Sequence, residues 1–221
     1  MIADQIAVVR EELLKRPSGL VRHVRRVLDE ALPLARSWVA DEERVELAVW
    51  GHDLFRSESP EEQIRLATEV GVEIDADSRD YPILLHGPIA AVVLRERFGI
   101  TDQEALMAVR DHTSGLAQMS LLAKILLISD KIEKKKRRGV PELADIRRLA
   151  RRDLDTAILC WADWRWTVEA RERYRTQASH WRARCHWVEE HHRDIGMPER
   201  ASGSSFAAAA RREGLAPPRE S

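Results

Sequence analysis

AVWGHDLFRS, residues 48–57, places a histidine and an aspartate side by side within an apolar run. Leu47, Ala48, Val49 and Trp50 lead into the pair, and Leu54 and Phe55 follow it. The pattern reads as a helix facing a core, where two such polar side chains without partners would cost several kcal/mol. His52 and Asp53 therefore need partners from elsewhere in the chain.

The same periodicity extends outward in both directions. Segments 3–15, 20–39, 41–56, 60–71, 86–98, 102–112, 119–132, 141–150 and 153–192 are predicted as helices, and convincing strand alternation is absent. Pro17-Ser18-Gly19 precedes the second helix and Gly87-Pro88 opens the fifth, while Thr101 or Asp102 caps the sixth. Gly99 and Gly115 read as helix stops. The expected fold class is all-α: a helical bundle over 1–160, a long Trp/Arg-rich C-terminal helical extension over 161–196, and a mostly disordered tail over 197–221. Five of the seven tryptophans fall in that extension, where Trp161, Trp164 and Trp181 are expected on a core-facing stripe. One short helix is expected in the tail, around 206–212.

The 221 residues are 44% apolar and 33% charged, enough for one sizeable core under a strongly charged surface. Net charge is −1, yet residues 1–130 carry 15 Lys/Arg against 23 Asp/Glu and residues 131–221 carry 21 against 14. The acidic part suits cation binding and the basic part suits phosphates. Cys160 and Cys185 have no CxxC spacing and read as free thiols of a cytoplasmic protein. The start, MIADQIAVVREELLKR, is amphipathic and unlike a signal peptide. The longest apolar run, LLAKILLIS, is short and holds Lys124, so no membrane span is expected.

Four further segments put a metal-ligating residue where helix core or helix end is expected. They are His23 in GLVRHVRRV, His86 in PILLHGPIAA, His112 in AVRDHTSGL and Asp130 in ILLISDKIE. Each has a plain alternative. His23 fits a helix face, His86 a cap, His112 a dipole-stabilised helix end, and Asp130 an N-cap with Glu133 as its box partner. Together they supply four imidazoles and two carboxylates, the ligand types that two divalent transition metals need.

The order His, His-Asp, Asp resembles the HD-domain metal phosphohydrolases, and His86 and His112 resemble the additional ligands of their two-metal members. LLHGPIAA, ITDQEALMAVR, RDHTSG and MSLLAKILLISDKIE are similar to segments of the YqeK family, over roughly residues 15–160. This resemblance implies symmetrical hydrolysis of diadenosine tetraphosphate to two ADP by metal-activated water. It implies two divalent transition metal ions, iron or in its place manganese. His23, His52, Asp53 and Asp130 would hold one, and Asp53, His86 and His112 the other, with Asp53 as the bridge. Asp53, Arg56 and Lys131 are the candidate catalytic residues. Arg56 and Lys131 are also the candidate phosphate clamp, and Thr113, Ser114 and Gly115 are candidate phosphate donors. Arg56 stands where the family commonly has Lys, Lys131 where it has Tyr, and EKKKRRG replaces a Pro-Gly-Arg segment, so either Lys136 or Arg137 takes that arginine's part.

Two rival readings remain at this point. One is HD-domain hydrolysis of another nucleotide: a nucleoside monophosphate, a dNTP or an alarmone. The other is a non-enzymatic module that binds RNA or protein through KKKRR at 134–138 and the Trp/Arg-rich segment. Nucleic acid is the less expected partner, since KKKRR reads more simply as a solvated loop.

Overall fold

The computed structural model describes residues 1–194, with side chains as far as His191. The expected tail, 197–221, lies outside the described residues. Among the described residues the secondary structure is helical: α1 (Ile2–Leu14), α2 (Ser18–Ser37), α3 (Glu42–Gly51), α4 (Pro60–Glu69), α5 (Ala76–Asp80), α6 (His86–Phe98), α7 (Gln103–Asp111), α8 (Leu121–Ile132), α9 (Pro141–Ala150), α10 (Leu154–Glu172) and α11 (Ala178–Asp194), with a 3₁₀ turn at Pro82–Leu85. None of these helices is long and apolar enough to cross a membrane.

Side-chain caps set several helix starts. Asp41 accepts from the Glu43 and Arg44 amides, Asp102 from Glu104 and Ala105, and Ser120 from Ala123. Asp102 rather than Thr101 is thus the cap of α7, and Arg44 clamps it to α3 at 2.5 Å. The apolar runs of α3 and α8 pack at the centre, against each other and against α2 and α7. Leu47, Val49, Ile125, Leu126, Leu127 and Ile128 are at most 1% exposed. Each such side chain contributes about 1.5–3 kcal/mol of burial free energy, which anchors the site-bearing ends of both helices.

Two boundaries differ from expectation. Helix α3 stops at Gly51, so His52 is its C-cap and Asp53 lies in the following turn, not within the helix. The stretch expected as one helix over 153–192 is instead a hairpin. Arg173 takes a left-handed conformation (φ +59°) at the end of α10, and α11 folds back onto α10. Such a backbone costs a non-glycine residue roughly 1–2 kcal/mol. Tertiary bonds offset that cost: Thr176 Oγ1 donates to the buried Glu169, Arg175 pairs with Asp77 and Asp80, and the Ala178 amide donates to Asp77. The expected 160/161 domain boundary falls inside α10. Trp161 is buried and Trp164 half-buried, but Trp181 is 40% exposed, and Trp187 takes the inner position on α11.

Candidate metal centre

Three of the four histidines are aimed by one local device. The last carbonyls of a helix have no intrahelical donor. At the end of α3 the Val49 carbonyl accepts from His52 Nδ1 at 2.7 Å, and at the end of α7 the Val109 carbonyl accepts from His112 Nδ1 at 2.7 Å. His86, just after the 3₁₀ turn, donates from Nδ1 to the Ile83 carbonyl. A carbonyl can only accept, so each Nδ1 carries the hydrogen and each Nε2 presents a lone pair. His23, within α2, is held by a carboxylate instead: its Nδ1 lies 3.4 Å from Glu133 Oε1.

These Nε2 atoms converge on Asp53. Asp53 Oδ1 lies 3.1 Å from His86 Nε2 and 3.5 Å from His112 Nε2. Its Oδ2 lies 3.3 Å from His23 Nε2 and 3.5 Å from His52 Nε2. Asp130 Oδ1, from the last turn of α8, lies 3.1 Å from His23 Nε2. Asp130 is therefore inside α8 and does not N-cap a later turn. Asp53 is 1% exposed, and its two oxygens and the Nε2 atoms of His23 and His52 have no hydrogen-bond partner by geometry. His86 Nε2 and His112 Nε2 face each other at 3.0 Å. Two lone pairs at that distance repel, and a cation beside them turns the repulsion into ligation.

The donor set fits divalent transition metals, which take neutral imidazole and carboxylate. Ligand atoms of His23, His52 and Asp130 lie within 4.8 Å of one another, and so do those of His52, Asp53 and His112. The protonation states agree with this use. Burial lowers His52 and brings His112 down to about 3, which leaves both rings neutral at pH 7. Against the same desolvation, the Asp130 and Asp53 carboxylates push His23 up to about 9. Asp53 and Asp130 stay well below the ordinary carboxylate range despite burial, Asp53 through the histidines that surround it and Asp130 chiefly through Lys131 and Lys136.

Glycine makes one of these approaches possible. A Cβ at Gly87 would stand 2.8 Å from the Arg110 carbonyl oxygen and 2.9 Å from that of Val109. Both are backbone atoms with little room to move, so the HGP segment can bring His86 against the end of α7 only with a bare glycine.

Beside His23 opens a cleft of about 540 Å³. Its walls carry Arg26, Arg56, Lys135 and Lys136 together with the apolar Pro17 and Leu20. Lys136 Nζ reaches both Asp130 Oδ1 and the Asp130 carbonyl at 2.6 Å, whereas Arg137 turns away to Glu30 and the Ile132 carbonyl. Of these two, Lys136 is the one brought to Asp130, and KKKRR is only partly a solvated loop. Lys131 Nζ lies 2.7 Å from Asp130 Oδ2, and burial brings its amine down to about 8. Arg56 Nε lies 3.6 Å from Asp53 Oδ2.

Thr113 Oγ1 lies 3.3 Å from His112 Nε2. Ser114 and Gly115 are not brought to the cationic cleft. They line a separate cleft of about 260 Å³ with Asp77, Asp111 and Ser179, and Ser114 Oγ donates to Gln177. Glu133 escapes sequence reasoning as a site residue because its spacing from Asp130 resembles a capping box. It is 1% exposed and accepts from Arg26 Nε at 2.6 Å and from the Lys135 amide at 2.6 Å.

The family model for the HD domain matches residues 20–135, a span that holds every one of these ligand candidates. The chain belongs to the HD-domain family. Among relatives of this HD domain, a symmetrical bis(5′-nucleosyl)-tetraphosphatase from Bacillus subtilis is 32% identical over 157 residues, covering 71% of this chain and 81% of that protein. A protein of the same name from Halalkalibacterium halodurans is 35% identical over 142 residues, covering 62% and 72%. The crystal structure of a predicted HD superfamily hydrolase involved in NAD metabolism, from Clostridium acetobutylicum, aligns with a TM-score of 0.77 at 26% identity. It covers 83% of this chain and 97% of the other.

Proposed function

We propose that this HD domain hydrolyses diadenosine tetraphosphate symmetrically, giving two ADP. The observation that carries the proposal is the Asp53 carboxylate, buried with no hydrogen-bond partner by geometry and flanked by imidazole nitrogens at both oxygens, beside a cleft rich in cations. Relatives named as symmetrical bis(5′-nucleosyl)-tetraphosphatases support the substrate. His23, His52, Asp53 and Asp130 would hold one divalent cation, and Asp53, His86 and His112 a second, with iron the proposed metal and manganese a substitute. When bound, the cations would supply a water acidified toward neutral pH and positive charge for the phosphoryl oxygens.

The chain's own residues do the rest. His52, His86 and His112 are held with their Nε2 lone pairs inward, so these three need little reorganisation when a cation arrives, whereas His23 must first give up a proton. The cleft falls in the usual size range of nucleotide-sized pockets, about 300–1,000 Å³. Arg56 and Lys136 line it as phosphate partners, while Lys131, a cation at neutral pH, pairs with Asp130 without lining the cleft. For symmetrical cleavage the reacting phosphorus must be the second from its adenosine, so one ADP half occupies the cleft. Chromatography of products formed with ferrous or manganous ion tests this directly. ADP alone is expected; ATP with AMP would place the substrate in another register, and activity only on a monophosphate or dNTP would replace the proposed substrate. Arg56→Ala is expected to lower turnover about a hundredfold, as for loss of one charge-stabilising donor, with metal content unchanged.

Metal uptake has a pH signature with a definite sign. His52 and His112 are already neutral at pH 7, whereas His23 keeps its proton up to about 9. A cation must displace that proton. Manganese binding at pH 7 is therefore expected to release about one proton from His23, and affinity to rise with pH until about 9. Calorimetry in buffers of different ionisation enthalpy measures the release, and the His23→Ala protein should show none. Without a cation, the raised pKa stabilises the fold below pH 6.5, and that contribution is lost as pH rises through 9.

A further inference from the structure

The C-terminal hairpin supplies none of the ligand candidates, yet it is bonded to the segment that carries His112 onward. Ser114 Oγ donates to Gln177 Oε1 at 3.4 Å, His180 Nδ1 donates to the Ser114 carbonyl at 2.9 Å, and Trp187 Nε1 donates to the Leu116 carbonyl at 2.9 Å. Between those two carbonyls Gly115 takes φ +72°, and a Cβ there would stand 2.7 Å from the Trp187 ring. The indole thus occupies the space left by the missing side chain. Three residues of the hairpin hold three successive residues of the linker.

That linker has little support of its own. Helix α7 ends at Asp111 and α8 begins at Leu121, and between them the Gly115 amide bonds back to the Asp111 carbonyl at 2.8 Å. The Val109 carbonyl sets the tautomer of His112, but the position of its Nε2 depends on where the backbone leaves the helix. His180 is 5% exposed and sits edge-on to Trp161 and Trp187, with ring centroids 5.2 and 6.1 Å away. Trp161 also takes the Lys131 ammonium over its ring at 5.5 Å, and Lys131 is bonded to Asp130. The aromatic trio therefore contacts the segment that follows His112 on one side and the lysine bonded to Asp130 on the other.

We infer that His180 is a positioning residue: brought in on α11, it acts with Trp187 to hold residues 114–116 so that His112 Nε2 keeps its place beside Asp53 and His86. The inference rests on the hydrolysis proposed above. Misplacing a reacting group by about 1 Å costs on the order of a hundredfold in rate, so a packing contact far from the substrate can control turnover.

His180→Phe keeps a buried ring and removes the donor, while His180→Asn puts an amide N–H near the Nδ1 position. In the full chain, His180→Phe is expected to fold, to bind manganese about 10–100-fold more weakly at one of its sites, and to lose about 10–100-fold in kcat with KM near wild type. Amide hydrogen exchange should rise across 113–116, and His180→Asn should recover much of each loss. Electron paramagnetic resonance of titrated manganese supplies the binding readout. Wild-type manganese affinity and kcat in His180→Phe overturn the inference, as does a lower melting temperature with full activity per folded molecule. Should His180→Phe not fold, Trp187→Phe, which removes the N–H to Leu116, is held to the same expected losses, and wild-type behaviour there overturns the inference equally. If the wild type does not cleave diadenosine tetraphosphate, the proposed substrate fails, but manganese binding and hydrogen exchange still decide the role of His180.

Discussion

Asp53→Ala is expected to reduce diadenosine tetraphosphate hydrolysis to background and to leave less than one manganese ion per chain where the wild type is expected to hold two. Among the described residues, Asp53 alone has its two ligand atoms facing both groups of imidazoles, Oδ1 toward His86 and His112 and Oδ2 toward His23 and His52. Its removal takes a charged candidate ligand from each group at once, leaving Asp130 as the one carboxylate beside His23 and His52 and none beside His86 and His112. The variant should still fold, because the α3 core is formed by Leu47, Val49 and Leu54 and not by the carboxylate. Loss of one unit of negative charge should also let His23 release its proton more readily, since Asp53 is one of the two carboxylates that raise it. Metal analysis beside circular dichroism checks both points, and two retained ions per chain would defeat the bridging assignment.

Glu133→Ala should have the second largest effect, and it should divide into two measurable parts. The residue is almost fully buried and partners Arg26, the Lys135 amide and His23 Nδ1. Removing one member of such a buried ion pair leaves the other uncompensated, so urea denaturation should show a loss of about 3 kcal/mol. Manganese affinity should fall about 10–100-fold, because a ligating imidazole loses the carboxylate that orients it. Glu133→Gln keeps an acceptor oxygen and should recover part of both. Unchanged manganese affinity in a folded Glu133→Ala protein would reduce Glu133 to a purely structural partner of Arg26.

The candidate ligands were legible as a set and not one by one. His23, His86, His112 and Asp130 each had a plain alternative. Only His52 and Asp53 resisted one, because an imidazole and a carboxylate inside an apolar period have no cheap place to go. His52 and Asp53 stood out most, although they lie just past a helix end and not within the helix. The local sequence could not reveal that end, since Gly51 continues the helical backbone and no proline interrupts AVWGHDLF. Glu133 was hidden, and Lys136 was left undecided against Arg137, for a different reason. One resembled a helix cap and the other a member of a charge run, and only the return of the chain past α8 brings both to His23 and Asp130.

By itself the sequence determined the helical class, a cap at Thr101 or Asp102, the helix stops at Gly99 and Gly115, and the inventory of four imidazoles and two carboxylates. Those depend on periodicity and on side-chain chemistry, which act over a few residues. Tertiary structure alone decided which nitrogen of each histidine points inward, because the Val49, Ile83 and Val109 carbonyls that set the tautomers are free only where their helices or turns end. It alone decided between Lys136 and Arg137, because Glu30 draws the arginine away. It also broke the last long helix at Arg173, where no glycine or proline marks a turn. The bonds that offset the left-handed backbone come from Asp77 and Asp80, about a hundred residues earlier in the chain. Contacts of that span follow from the folded arrangement of the helices, and no local pattern in the chain encodes them.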